Sequence, residues 1–115
     1  MIKDTSKLLR IFLGEGDKLG HRALYEVIIL AARKEKMAGA TSWRGIMGFG
    51  PTSVIHSAKL LDLSADLPVV VEIIDNEEKI EAFLPRLDEL FEESGCGGLV
   101  TIETATVLKY RSEKK

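Results

Sequence analysis

The spacing of the apolar residues alternates between the period of a strand and the period of a helix, and this order restricts the possible folds more than any other feature. Residues 8–13 (LLRIFL) form a short apolar run that ends at Gly14, which is typical of a buried strand. His21 opens a region in which apolar residues recur three and four positions apart, as in an amphipathic helix. Its apolar residues are Leu24, Val27, Ile28 and Ala31. We expect this helix to end at Gly39.

The second half of the chain repeats this alternation. A strand is expected over residues 40–47, and Thr52 could cap a short helix that would include His56. The stretch LPVVVEIID, residues 67–75, is the strongest strand signal in the chain. Asn76 then begins a second long helix, which Pro85 should kink. We expect the last strand to run from about Leu99 to Arg111.

The resulting order is β-α-β-β-α-β within 115 residues. It predicts an α+β fold, a ferredoxin-like βαββαβ sandwich in which two helices cover one face of a four-stranded antiparallel sheet. We expect one domain over residues 1–115, with a flexible loop at about 50–66. Both helices are used on one face, so we expect further copies of the chain to cover the other face in a closed homo-oligomer.

Composition excludes several functional classes. The formal net charge is −2, with acids and bases mixed, so no basic field favours a nucleic-acid partner. The longest apolar run, residues 27–32, is far shorter than the roughly 18 residues of a membrane span. Cys96 is the single cysteine, which excludes an internal disulfide and a CxxC metal site. These observations predict a cytoplasmic protein that is not embedded in a membrane.

Two glycine-rich segments are candidates for ligand binding. The first, RGIMGFGPTSVIH at residues 44–56, could present backbone N–H groups to an anion, although glycines at a strand end commonly serve turn geometry. The second, GCGG at residues 95–98, has the alternative interpretation of a helix cap and a turn. Lys109 and Arg111 would project from one face of the last strand and suit a phosphate or carboxylate, or they could be a solvated strand edge.

No catalytic set is evident, and we do not expect an enzyme. His21 and His56 are the only histidines, and no third ligand clusters with them to predict a metal site. Cys96 could be reactive beside a backbone nest, or it could simply be a small packing residue.

The motifs RGIMGFG, IH at 55–56 and LSADLPVVVEIID at 63–75 resemble a PII-like family of unknown function, domain of unknown function 190. This is a small bacterial and archaeal group that is sometimes encoded beside fluoride or other ion transporters. The chain is also distantly similar to PII nitrogen-regulatory signalling proteins. The segment GCGGLVTIETATVLKYRS resembles the glycine-rich B-loop, last strand and basic tail of PII. The likeness extends from about Leu8 to Ser112.

The resemblance implies a homotrimer that binds an adenine nucleotide (ATP, ADP or AMP, with or without Mg²⁺) between subunits. The implied nucleotide-binding residues are Arg44, Gly48, Phe49, Gly50, Gly95, Gly97, Gly98, Lys109 and Arg111. The loop after the second strand would signal to a partner such as a membrane transporter. Its candidate partner residues are Ser53, His56, Ser57 and Asp66. Leu99 stands where PII has a lysine, and Arg44 is a candidate for the replacement charge.

Three hypotheses follow. The leading hypothesis is a trimeric regulatory protein that binds a nucleotide. The second is a structural or partner-binding trimer without a small ligand, in which the glycines serve turns. The third and weakest is an enzyme or metal protein that assembles its site across subunits from His56, Ser57, Asp66 and Glu72.

Overall fold

The computed structural model describes residues 6–52, 54–58 and 66–113, and it is built around one four-stranded antiparallel sheet. The strands of this sheet are β1 (Ser6–Gly14), β4 (Gly39–Arg44), β7 (Pro68–Asn76) and β8 (Leu99–Thr104). The helices are α1 (Leu24–Lys34) and α2 (Glu77–Ser94). The strand order β4-β7-β1-β8 confirms the ferredoxin-like βαββαβ arrangement expected from the sequence.

Two short hairpins interrupt this plan. β2 (Lys18–Leu19) pairs with β3 (Arg22–Ala23) between β1 and α1, and β5 (Met47–Gly48) pairs with β6 (His56–Ser57) after β4. The first hairpin places His21 in a turn rather than at the start of the first helix. The second hairpin contradicts the short helix expected after Thr52, because residues 56–57 pair as a strand. Residues 59–61 of that expected helix lie outside the described chain.

The core lies between the two helices and one face of the sheet. Alternate residues of β1 and β7 point into it, as a strand buried on one face requires. The fully buried residues include Leu9, Ile11, Val71, Ile73, Leu24, Ile28, Ile80, Phe83 and Leu90. Leu87 and Ala32 complete the helix contribution, so both helices pack on the same sheet face.

Local hydrogen bonds determine where α2 begins and ends. The Asn76 side chain accepts a hydrogen bond of 2.9 Å from the Lys79 N–H, which makes Asn76 the N-cap. Gly95 closes the helix with a φ of 70°, and its N–H donates to the Phe91 carbonyl at 2.9 Å. α2 runs continuously from Glu77 to Ser94 and includes Pro85.

α1 ends earlier than the sequence suggested. It stops at Lys34, and Lys36 adopts the positive φ of 58° that a glycine usually provides. Gly39 begins β4 instead of capping the helix. The expected end of the helix was therefore wrong by about one turn.

Candidate functional site

One end of the main sheet gathers most of the segments that the sequence marked as ligand-binding. The last residue of β1 pairs with the first residue of β7, and Arg44 at the end of β4 pairs with Val69. β8 begins beside Phe12, close to the same end. We call this region the glycine-loop end. It comprises residues 14–17, 44–50, 66–67 and 95–98.

The two glycine segments lie on opposite sides of this end. β4 and β8 are the outer strands of the sheet, with β7 and β1 between them. Three strand spacings separate the outer strands, which is about 14 Å. A ligand must therefore span this distance, or a second chain must complete the site.

Arg44 is the one cation of the sequence-predicted set that lies at the glycine-loop end. Its Nη2 forms an ion pair with Glu15 Oε2 in the turn after β1. The Arg44 side chain is 63% exposed, whereas that of Glu15 is 26% exposed. The guanidinium is therefore accessible to an anion, and the carboxylate is the more enclosed member of the pair.

The turn at residues 14–17, which we call the root turn, is tied to both ends of the segment that runs from β4 to β7. The Glu15 N–H donates to the Leu67 carbonyl at 2.8 Å, and the Gly16 N–H donates to Asp66 Oδ1 at 2.5 Å. These bonds hold the returning end, while the ion pair of Glu15 holds the outgoing end at Arg44. The turn is closed by a bond of 2.9 Å from the Gly14 N–H to Asp17 Oδ2.

The β5–β6 hairpin carries the next three predicted residues. Gly48 packs over Pro68, whose Cγ would lie 3.2 Å from an added Cβ, so its small size serves packing inside the chain. Among the described residues, no atom lies within 4 Å of a Cβ added to Gly50. Phe49 is 68% exposed between them. The aromatic ring is thus available to a ligand or to another chain.

The second glycine segment, residues 95–98, also contains both glycines that the fold requires and a glycine without a packing role. Gly95 has a positive φ that caps α2, and an added Cβ on Gly98 would lie 2.9 Å from both the Phe12 carbonyl oxygen and Phe91 Cε1. The fold itself therefore requires both glycines. Gly97 meets nothing within 4 Å, and its φ is not positive, so no contact within the described chain explains its glycine.

Lys109 and Arg111 lie at the opposite end of the sheet. The β1–β8 ladder stops at the pair Lys7–Thr104, and the strand does not continue to Arg111 as the sequence suggested. The chain then leaves the sheet, and the Tyr110 hydroxyl donates to the Ala38 carbonyl at 2.7 Å, just before β4. We call residues 105–113 the tail. Arg44 lies the six-residue length of β4 away, about 20 Å, so one chain cannot bring all three cations together.

The partner residues proposed from the sequence have different environments. His56 is half-buried in β6, Ser57 is buried, and Asp66 binds the root turn. Ser53 lies outside the described residues. Exposed apolar side chains surround this hairpin, each more than half exposed. They are Ile46, Met47, Phe49, Val54 and Ile55.

A polar network crosses the sheet face that the helices leave uncovered. Glu72 accepts hydrogen bonds of 2.7 Å from Arg10 Nε and from Trp43 Nε1, and Arg10 also pairs with Glu103. The Arg10 hydrogen bond, helped by the Trp43 bond and the Arg10 charge, lowers the pKa of Glu72 despite the opposing effect of burial. Apolar side chains flank the network on this face. They are Leu8, Phe12, Val70, Ile74 and Leu99.

Residues 6–52, 54–58 and 66–113 lack two features, a cluster of metal-ligating side chains and a membrane-spanning helix. No three His, Cys, Asp or Glu side chains come together as metal ligands would. No helix in these ranges combines the length and the apolar character needed to cross a bilayer. Cys96 is half-buried, with its Sγ 3.9 Å from the Lys18 carbonyl.

Sequence reasoning missed Glu15, which is the direct partner of Arg44. The only available signal was the pattern GEGD at residues 14–17, in which acids alternate with glycines after a strand. It also missed the contact between Arg10 and Glu72, two charges placed on the same face of neighbouring strands. Both contacts depend on strand register, which the one-dimensional pattern does not contain.

The fold of the chain is that of PII-like proteins. A nitrogen regulatory PII-like protein of Thiomonas intermedia K12, described as bound to ADP, AMP and bicarbonate, superposes with a TM-score of 0.67. The two share 19% sequence identity, and the alignment covers 90% of this chain and 89% of the other. This agreement confirms the PII-like fold expected from the sequence.

The family model for DUF190 (Uncharacterized ACR, COG1993) matches residues 6–107, so the chain belongs to this family. A UPF0166 protein of Aquifex aeolicus is 40% identical over 102 residues, which is 89% of this chain and 92% of the relative. A UPF0166 protein of Methanocaldococcus jannaschii is 39% identical over 95 residues, or 83% and 85% of the two chains. The family expected from the motifs is thus confirmed.

Proposed function

We propose that this chain is a non-enzymatic regulatory protein of the PII-like type. It assembles as a homotrimer in the cytoplasm and binds an adenine nucleotide in clefts between neighbouring chains. The bound nucleotide changes the surface that the loop at 50–66 presents to a partner, such as a membrane transporter.

The observation that carries this proposal is the separation of the candidate ligand residues between the two ends of the sheet. Arg44, Gly50 and Gly97 belong to the glycine-loop end, whereas Lys109 and Arg111 follow β8 at the other end. A polyphosphate that uses cations from both ends needs a second chain, because about 20 Å of β4 lies between them. A cleft between chains meets this requirement.

The uncovered sheet face supports assembly with further copies. It carries Trp43 at 58% exposure on β4 and Leu99 at 54% exposure on β8, on either side of the central strands β1 and β7, whose other face is packed against the helices. Burying such apolar surface contributes roughly 25 cal/mol for each Å² removed from water. A closed ring of copies removes this surface from water in every chain.

The choice of an adenine nucleotide rests on the fold relative and on the chemistry of the site. The Thiomonas intermedia protein is described with ADP and AMP bound. In this chain, the exposed Arg44 guanidinium suits a phosphate, and Phe49 offers an exposed ring. Glycines without a packing role allow backbone N–H groups to approach an anion closely.

Calorimetric titration of the wild-type protein with ATP, ADP and AMP, with and without Mg²⁺ and bicarbonate, tests the proposal. We expect at least one nucleotide to bind, and we expect Arg44→Ala and Arg111→Ala each to weaken it. Hydrogen bonds to charged groups are worth about 1.5–3 kcal/mol, which is roughly a 10- to 150-fold loss. Arg33→Ala, on the exposed surface of α1, is the matched control and should bind normally. Equal binding by all four proteins contradicts the proposed site.

A second candidate is a partner-binding trimer that takes no small ligand. The observation in its favour is that the fold alone explains two of the glycines. Gly95 is required by its backbone conformation, and Gly98 is required by close packing. This candidate predicts no change in melting temperature with any nucleotide. A ligand at 100 times its Kd instead adds about 2.7 kcal/mol to the stability of the native state.

A further inference from the structure

The root turn at residues 14–17 holds both ends of the segment that joins β4 to β7. The returning end is fixed by two N–H groups of the turn, which donate to the Leu67 carbonyl (from Glu15) and to the Asp66 carboxylate (from Gly16). The outgoing end is fixed differently. The Gly45 N–H donates to the Pro68 carbonyl of β7 at 2.6 Å, and the contact with the root turn itself is the ion pair between the side chains of Arg44 and Glu15.

The Arg44–Glu15 pair is asymmetric in a way that favours exchange. Glu15 is the enclosed partner, and its backbone is fixed by a bond that does not involve its carboxylate. Arg44 is 63% exposed and reaches the turn only through its side chain. An arriving anion therefore meets the guanidinium from solvent, while the carboxylate stays with the root turn.

We propose that Glu15 is a positioning residue that competes with the phosphate of the ligand for Arg44. This inference rests on the proposed function, because it assigns a regulator to the same nucleotide site. Without ligand, Glu15 holds Arg44 against the root turn. With ligand, Arg44 transfers its hydrogen bonds to the phosphate, and the outgoing end of the loop loses its ion pair with the turn.

The expected size of the effect follows from the exposure of the pair. Ion pairs at the protein surface are worth about 0.2–1 kcal/mol, so releasing Arg44 should tighten ligand binding by only about 1.4- to fivefold. Glu15→Gln keeps the shape of the side chain and the backbone bond to Leu67, so we expect the fold to persist. Far-ultraviolet circular dichroism and the melting temperature check this.

The test is a double-mutant cycle in which the Kd for ADP is measured for the wild type, Glu15→Gln, Arg44→Ala and the double variant. We expect Glu15→Gln to bind ADP about 1.4- to fivefold more tightly than wild type, and to have no effect in the Arg44→Ala background. Glu81→Gln, an exposed position on α2, makes the same charge change elsewhere and should leave the Kd unaltered.

The fluorescence of Trp43, the single tryptophan, supplies a second signal beside Arg44. ADP should change the emission of the wild type, and Glu15→Gln without ligand should already show part of that change. Equal or weaker binding by Glu15→Gln overturns the inference but leaves the proposed function intact. Tighter binding that persists without Arg44 also overturns it. No binding of ADP, AMP or ATP by the wild type overturns both.

Discussion

The two ends of the main sheet are built from the same four strands. They differ in how completely the groups at each end are bound by other groups of the same chain. At the tail end, polar groups are joined to one another. Asp75 accepts hydrogen bonds from the Ala38 and Asn76 N–H groups, and the Lys79 ammonium donates to the Lys36 carbonyl at 2.7 Å. Asp75 is buried, so these bonds compensate for the loss of water around its carboxylate.

The glycine-loop end contains groups that the described chain leaves open. Gly50 and Gly97 face empty space, Phe49 is exposed, and Arg44 is held by a single carboxylate. The difference indicates that the groups of the tail end are bound within the chain, whereas those of the glycine-loop end face outward. Under the proposed function, a ligand and a second chain complete the glycine-loop end, and the tail of that second chain supplies the cations Lys109 and Arg111.

The largest expected effect is a difference in stability between alanine substitutions of two adjacent glycines at the glycine-loop end. Gly98→Ala should destabilise the protein by about 1–3 kcal/mol, because the new methyl group overlaps the Phe12 carbonyl and the Phe91 ring. Gly97→Ala should change the free energy of unfolding by less than about 0.5 kcal/mol, because its methyl group meets no atom of the residues that the structure describes. Urea unfolding at fixed protein concentration measures both.

Gly97→Ala should nevertheless weaken the binding of ADP. Sedimentation velocity on the same samples shows whether assembly has changed, which separates contact with a ligand from contact with another chain. If Gly97→Ala binds ADP as the wild type does, Gly97 is only a turn residue, and the contrast between the two glycines has no functional meaning.

A smaller effect is expected at the tail end from Tyr110→Phe. This change removes the bond from the hydroxyl to the Ala38 carbonyl and should cost about 0.5–1.5 kcal/mol of stability. It should also increase hydrogen exchange of residues 105–113, because the tail loses this attachment. Tyr25→Phe, a half-buried tyrosine on α1, is the matched control. Unchanged exchange in the tail would show that the Tyr110 bond does not hold it.

The smallest effect is expected on stability, from the polar network that lies between the two ends on the uncovered sheet face. The pKa of Glu72 lies below its ordinary value of 4.5 in the folded protein, chiefly because of the Arg10 hydrogen bond. Its stabilising contribution is therefore present above the unfolded pKa and is lost as the pH falls through the lower folded pKa. Glu72→Gln should cost about 0.2–1 kcal/mol at pH 7, and this difference should shrink as the pH falls below about 4.5.

Chemical unfolding of wild type and Glu72→Gln between pH 7 and pH 3 measures this difference, with Glu81→Gln as the control. A gap that stays constant across this range would mean that the Arg10–Glu72 contact contributes no pH-dependent stability.

The order of the elements could be predicted from the sequence because each depends on local periodicity. The run LPVVVEIID and the apolar stripe of α2 carry their structure in adjacent residues. The end of β8 could not be predicted in this way. Residues 105–108 continue a strand-like pattern, but the ladder ends where β1 offers its last bond, from the Ala105 N–H to the Ser6 carbonyl.

The candidate site was predicted only as a set of separate residues. The glycines and Arg44 were visible as motifs, and the resemblance to PII-like proteins united them. The contact between Arg44 and Glu15 joins residues 29 positions apart in the chain, through the register of β1, β7 and β4. The expected short helix after Thr52 failed for a similar reason, because pairing with Met47 and Gly48 outweighed local helix signals.

The central claim, that each site takes groups from two chains, is tested most directly by subunit complementation. Arg44→Ala and Arg111→Ala chains are unfolded, mixed in equal amounts and refolded together, and the number of ADP sites is measured by equilibrium dialysis. The account predicts that each variant alone binds weakly, whereas the mixture regains about a quarter of the wild-type sites, because random assembly of a closed ring pairs intact Arg44 with a neighbour's intact Arg111 that often. A mixture that binds no better than the separate variants would contradict a site shared between chains.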